Sequence, residues 1–262
     1  MARFPLVIKL ANVLVYLFLL GANIYSVAGP DQDQSPWHED HPTFITPAEY
    51  AFYIWGIIHF LFGGFIIYQF FSTATEPVTD GIHWHFVSIS LWNTLWLYLW
   101  QTNHLILSFI VILITSSQVS FVYYTLHNKY PAQNLNDKIW IHAPFSLYHA
   151  WILVIVLINL FAAFTQEAEE DTKPTLITKI LVFLGLLFLE STAVGYIEYF
   201  KGDFAGALVI AWTLFTIYLG QADLFIRYSA LFFSVVTLFH SFKPLVKKYF
   251  FASREETAPL LG

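Results

Sequence analysis

Apolar residues run along this chain in eight blocks separated by short polar stretches. The blocks lie near 6–28, 48–71, 84–101, 104–126, 139–164, 176–198, 203–220 and 224–242. A helix needs about 20 predominantly apolar residues to cross the hydrocarbon core of a bilayer, and each block comes close. The third and fourth are parted only by Gln101-Thr102-Asn103-His104, which predicts a tight antiparallel helix pair. The break at Gly220-Gln221-Ala222-Asp223 is the weakest, so seven spans is the other count. The fold class expected is an all-α polytopic membrane protein.

Composition agrees with that pattern. The chain is 57% hydrophobic, 19% aromatic and 11% charged, whereas soluble domains carry roughly 25% charged residues. The absence of cysteine excludes disulfides, thiolate metal sites and cysteine nucleophiles. A net charge of −6, without a basic patch interleaved with aromatics, speaks against nucleic acid as a partner. The first block resembles a signal peptide in having Arg3 and Lys9 before an apolar run and Ser26-Val27-Ala28 after it. The run is long for a signal's apolar core and reads as a retained membrane helix. Lys and Arg in short loops set orientation. Eight spans with the N-terminus inside put Arg3, Lys9, Lys129, Lys138, Lys201, Lys243, Lys247, Lys248 and Arg254 on the cytosolic side, with Lys173 as the exception. Both termini are expected to be cytosolic.

Candidate chemistry lies in the polar and indole groups at membrane depth. Trp92, Trp96 and Trp100 recur every four residues and mark one stripe of the third span. Trp92 and Trp96 fall near its middle, away from the headgroup level that tryptophan prefers, so their N–H groups need a protein or ligand partner. Asn93 carries an amide that is costly against lipid and is expected to face the bundle. Asn159 and Gln118 are likewise amides within spans, suited to interhelical hydrogen bonds. Glu190, deep in the sixth span, together with His59 and His149, could line one polar pocket or a proton path. His38, Glu39, Asp40 and His41 cluster in a loop, where adventitious metal binding is the expectation. There is no Gly-rich phosphate loop, no serine-nucleophile elbow and no acid–base pair at a defined spacing, so an enzyme is not expected.

Three motifs carry a resemblance. Pro47 precedes Trp55 by eight residues and Gly63 follows it by eight; Asn93 and Trp96 form Asn-x-x-Trp; Trp151 precedes Asn159 by eight. In this order and spacing the sequence resembles the tryptophan-rich sensory protein / translocator protein (TspO/MBR) family. The resemblance implies a five-helix membrane bundle that binds tetrapyrroles, sterols and related flat apolar ligands. Carried onto this chain, it implies a ligand site at Trp55, His59, Trp92, Asn93, Trp96, Trp151 and Asn159, with His149 beside them and porphyrin or haem as the first candidate ligand. Three departures stand out. The double proline before the second helix is single here, His59 replaces a tyrosine, and Pro144 lies seven residues before Trp151 where the family has four.

The motifs cover residues 1–164, expected to form a five-helix bundle. Residues 165–242 add three further spans, as in a longer branch of that family, and 243–262 form a cytosolic tail. In the tail, Glu256, Leu260 and Leu261 have the form of an acidic dileucine signal, which predicts a clathrin adaptor as partner and a vacuole or lysosome as destination. The other partners expected are the lipid bilayer, an apolar small molecule and a second copy of the chain as a homodimer. The rival function is a proton-coupled transporter using Glu190 and the intramembrane histidines.

Overall fold

The computed structural model describes residues 5–29, 41–168, 172–200 and 202–246. Among them, eight long helices occupy the eight apolar blocks: α1 Pro5–Ala28, α2 Ile54–Tyr68, α3 His85–Gln101, α4 Leu105–Lys129, α5 Ala143–Phe164, α6 Leu176–Glu198, α7 Phe204–Gly220 and α8 Leu224–Ser241. No strand occurs in the described residues. Counting the short helical lead-ins to α2 and α5, six of these helices are long and apolar enough to cross a membrane. The other two, α3 and α7, have 17 residues each. At 1.5 Å per residue they measure about 26 Å, a little short of the ~30 Å hydrocarbon core.

Local chemistry explains the boundaries. The break between α7 and α8 is real: Asp223 accepts hydrogen bonds from the Phe225 and Ile226 amides and starts a new helix. Asp203 opens α7 in the same way, through the Ala205 and Gly206 amides. Thr175 opens α6 by accepting from the Thr178 amide. Between α3 and α4, Asn103 takes a positive φ of 59°, which asparagine tolerates better than most residues, and the chain reverses at once. The prolines act on their own turns. Pro47 sits just before the 3-10 turn Glu49–Tyr53 that leads into α2, and Pro144 lies in the first turn of α5, where its missing N–H costs nothing. A π-helical turn, Lys138–His142, precedes α5.

Helices α1 to α5 close a ring in which α1 packs on α2, α2 on α5, α5 on α4, α4 on α3 and α3 on α1. Helices α6, α7 and α8 pack on one another and lean on the ring mainly through α7 against α5. The ring's centre is aromatic: Phe62, Phe65, Phe86 and Phe145 meet largely edge-to-face at centroid distances from 5.2 to 6.4 Å. Large apolar side chains such as Leu14, Phe60 and Ile67 remain exposed on the periphery, as a lipid-facing surface requires. One polar joint ties the two groups of helices together. Gln221 donates to the Thr43 and Thr46 carbonyls at 3.1 and 2.7 Å, and the Ala48 amide donates to the Thr216 carbonyl at 3.1 Å. Gly220 makes this approach possible, because a Cβ there would lie 2.7 Å from the Ala48 nitrogen.

Candidate functional site

The ring brings most of the tryptophan motif residues together around Trp55. Its ring stacks on His59 at 5.9 Å, lies 6.3 Å from Trp96 and 5.9 Å from Tyr148, and meets Trp151 edge-on at 6.2 Å. Trp55, Trp96, Trp151 and Tyr148 are all fully buried. Asn159 ties the far side of this cluster. Its Oδ1 accepts from Trp96 Nε1 at 3.1 Å and from Ser108 Oγ at 2.7 Å, while its Nδ2 donates to the Ile155 carbonyl at 2.9 Å. The α3 indole thus finds its partner in the α5 amide, and α4 joins through Ser108.

Several buried polar atoms here find no hydrogen-bond partner among the described residues. They are both amide atoms of Asn93, Tyr148 Oη, Trp151 Nε1 and both ring nitrogens of His59. Native interiors leave few such groups, and each calls for an explanation such as a bound water, ion or ligand. Asn93 faces inward and is fully buried, as expected. Trp92, by contrast, is only half-buried, at the edge of the core. Trp96 and Trp100, at the same spacing of four, are both buried with ring centroids 6.2 Å apart, so the buried part of the stripe begins at Trp96.

His59 differs from the rest of the cluster because it reaches a cavity. A cleft of about 1260 Å³ runs between α1 and α2 and the segment before α5, and His59, Tyr16 and Trp140 line it. A second cavity of about 450 Å³, toward the Asn23 end of α1, shares Tyr16, His59 and Phe60. Tyr16 Oη donates to the His59 carbonyl at 2.7 Å and bolts α1 to α2 between the two. The larger cleft has a polar rim of Thr73, Asn134 and Asn136. Its walls include Phe60 and Ile67, both exposed, so it opens sideways toward lipid. Gly64 lets the Trp140 ring lie flat on α2: a Cβ there would come within 2.0 Å of that ring.

His149 and Glu190 lie elsewhere, which corrects the expectation of one polar pocket shared with His59. His149 is wedged between α4 and α6. Ser120 Oγ, which donates to the Ser116 carbonyl, contacts its Nε2 at 2.9 Å, Tyr196 Oη contacts its Nδ1 at 2.5 Å, and Tyr123 stacks on its face at 4.5 Å. Glu190 sits half-buried on α6, and no hydrogen bond or ion pair joins it to either histidine. Of the loop donors, His41 contacts Glu167 at 2.9 Å; His38, Glu39 and Asp40 lie outside the described residues, as do Glu256, Leu260 and Leu261. Among the described residues no group of three or more His, Asp or Glu is placed to hold a metal ion.

Sequence reasoning missed the cleft's other walls. Trp140 and Asn134 sit in the connection before α5, and nothing in their spacing tells that the π-helical turn folds them against Gly64. Asp137 offers a partial signal, as an acid next to an apolar run. It accepts from Tyr68 Oη at 2.8 Å, from Asn134 Nδ2 at 2.9 Å and from the Gln133 amide, fastening this connection to α2.

Comparison with curated proteins and with solved structures returned no match. A family model did match, and it runs through α8, well beyond the residues 1–164 that hold the three motifs. Over residues 9–242 the match is to the family described as TSPO-like protein, and the chain belongs to that family.

Proposed function

We propose that this integral membrane protein binds a flat apolar molecule, of tetrapyrrole or sterol type, in the α1–α2 cleft, with His59 as the polar group that orients it. The observation carrying this reading is His59 itself. It is 7% exposed, lines both cavities, and has two ring nitrogens without a hydrogen-bond partner among the described residues. A neutral imidazole offers one donor and one acceptor, so a ligand with a polar group at its edge would satisfy what the protein leaves open. Ligand sites are concave and mainly apolar, with a few placed polar groups. The cleft has that character: apolar walls from Phe60, Ile67 and Trp140, His59 deep within, and the rim of Thr73, Asn134 and Asn136 for a second polar end. Because it opens sideways, a ligand dissolved in the bilayer would reach it without crossing water. Family membership supports the ligand class. The cluster of Trp55, Trp96 and Trp151 then serves as the rigid backing of His59 rather than as the contact surface. In this reading the protein is a binding protein without catalytic chemistry, its termini face the cytosol, and the tail signal directs it to an endomembrane.

The test is a quenching titration of the purified full-length protein with protoporphyrin IX, run beside His59→Leu, Gly64→Leu and Trp92→Phe. The expected result is saturable quenching with Kd raised at least tenfold, about 1.4 kcal/mol, by the first two changes and unaltered by the third. Equal Kd in all four proteins removes the cleft reading, and loss in Trp92→Phe alone returns the site to the tryptophan stripe.

A further inference from the structure

On the outside of the bundle, where the C-terminal helices meet the ring, one cation lies on a ladder of aromatic rings. Trp212, Phe215 and Tyr218 recur every three residues and so follow one another up one side of α7. Their rings stand at successive centroid distances of 6.4 and 5.9 Å. Tyr50, in the turn that leads into α2, extends the ladder beyond Trp212 at 6.1 Å. Tyr228 of α8 closes its other end, 6.3 Å from Tyr218. Trp212, Phe215 and Tyr228 are exposed. The ladder thus crosses the seam that Gln221 and the Ala48 amide tie by hydrogen bonds. From Trp212 to Tyr218 it covers about 9 Å of helix at 1.5 Å per residue. Arg227 caps it, with its guanidinium carbon 5.0 Å from the Tyr218 ring centroid.

Arg227 is short of partners. A guanidinium is always charged and carries five N–H donors, and here the buried Nε finds no acceptor among the described residues. The nearest carboxylate in sequence, Asp223 one turn earlier, pairs with Lys179 at 2.8 Å and caps its own helix. Arg227 is therefore left without a counter-ion among the described residues. Such a charge is costly at the edge of hydrocarbon, and a ring face does not satisfy an N–H. Arg227 stands three residues into α8, about 5 Å along the helix, at the level where tyrosine and tryptophan meet lipid headgroups. We propose that Arg227 and the aromatic ladder bind one phospholipid, whose phosphate takes the guanidinium and whose acyl chain lies along Phe215 and Trp212 toward Tyr50. Phosphate is the acceptor that a bilayer supplies at this depth, and it fits the planar guanidinium through two parallel hydrogen bonds. A headgroup with net negative charge is favoured over a zwitterionic one, because no choline then opposes the arginine. The bound lipid lies across both groups of helices and adds a further tie between them. This site shares no residue with the cavities that His59 lines and does not depend on their occupant.

The test is native mass spectrometry of the delipidated full-length protein, titrated in detergent with phosphatidylglycerol, beside Arg227→Gln, Arg227→Lys and Lys243→Gln. Lys243 pairs with Glu198 beyond the other end of α8, so its loss controls for a general change in charge. The wild type is expected to retain one phosphatidylglycerol, with Kd raised at least fivefold in Arg227→Gln and unchanged in Lys243→Gln. Arg227→Lys keeps the charge but loses the planar fork, and its Kd should fall between the two. Diacylglycerol, which has the chains without the phosphate, should not compete. Melting curves separate a lost site from a lost fold: Arg227→Gln should still unfold cooperatively, but phosphatidylglycerol should raise its Tm less than that of the wild type. Gly64→Leu, which fills the α1–α2 cleft, should leave this lipid in place. Equal Kd in wild type and Arg227→Gln overturns the proposal, and so does displacement of the lipid by diacylglycerol.

Discussion

Replacing Asn159 with leucine is predicted to destabilise the ring by removing one buried junction between α3, α4 and α5. The amide oxygen accepts from Trp96 Nε1 at 3.1 Å and from Ser108 Oγ at 2.7 Å. Serine can turn to a carbonyl of its own helix, so Ser108 recovers part of its loss. Trp96, at 1% exposure, has no such recourse, and its N–H stays unpaired in an apolar centre. Side-chain hydrogen bonds between membrane helices are worth roughly 0.6 to 2 kcal/mol, and an orphaned buried donor costs about 1–3 kcal/mol. Leucine is close to asparagine in size, so no large cavity adds to this, and the expected loss is about 2 kcal/mol. The assay is a double-mutant cycle of Asn159→Leu with Trp96→Phe, read by reversible unfolding in mixed micelles. A coupling energy near 1 kcal/mol, with the double mutant less impaired than the sum of the singles, fits the hydrogen bond. Strictly additive effects would refute it.

Other changes probe the contacts that set the architecture. Gly220→Ala drives a methyl group into the Ala48 backbone, 2.7 Å away, and should lower thermal stability by about 1–3 kcal/mol; an unshifted melting curve contradicts the clamp on the approach to α2. Gly64→Ala must displace the Trp140 ring, and a changed Trp140 emission in a variant whose other tryptophans are phenylalanine would report it. Asp223 is predicted to matter more than its ion-pair partner. Asp223→Ala loses a helix cap worth about 1 kcal/mol, while Lys179→Met removes a 2.8 Å pair at the surface worth about 0–1 kcal/mol; equal losses would refute that ranking. Burial opposes ionisation of Asp223, but the Lys179 hydrogen bond and the Ile226 and Phe225 amides hold its carboxyl below the usual carboxylate range. Its contribution is therefore present at neutral pH and is lost as pH falls through that depressed range. The stability gap between wild type and Asp223→Asn should close in acid.

The helices were legible in the sequence because bilayer thickness imposes a length and a composition on each span. The blocks at 176–198 and 203–220 fall within a residue of α6 and α7. The interior position of Trp96 and Asn159 was legible as well, since indole and amide groups at mid-span are costly against lipid and turn toward the bundle. The cleft was not. It depends on how the chain between α4 and α5 turns back on α2, and a π-helical turn leaves no periodicity to read. The same holds for Gln221 and Asp203, each a polar residue at a helix end. The sequence marks them as caps or breaks, while their long-range partners, Thr43 with Thr46 and Tyr123 with Ser146, follow only from packing. Glu190 is a separate case. Its depth in a span promised chemistry, yet α6 turns it to a half-buried position away from both histidines.

The most direct test of the binding site is photoaffinity labelling of the native protein in lipid nanodiscs with a diazirine-bearing sterol and, separately, a diazirine-bearing porphyrin. Labelled residues are then mapped by mass spectrometry, with unlabelled ligand as competitor. Competable labels on 57–71 and 134–140, lost in Gly64→Leu, are the predicted result. Competable labels on Trp92 and its neighbours with none on those two segments would contradict it.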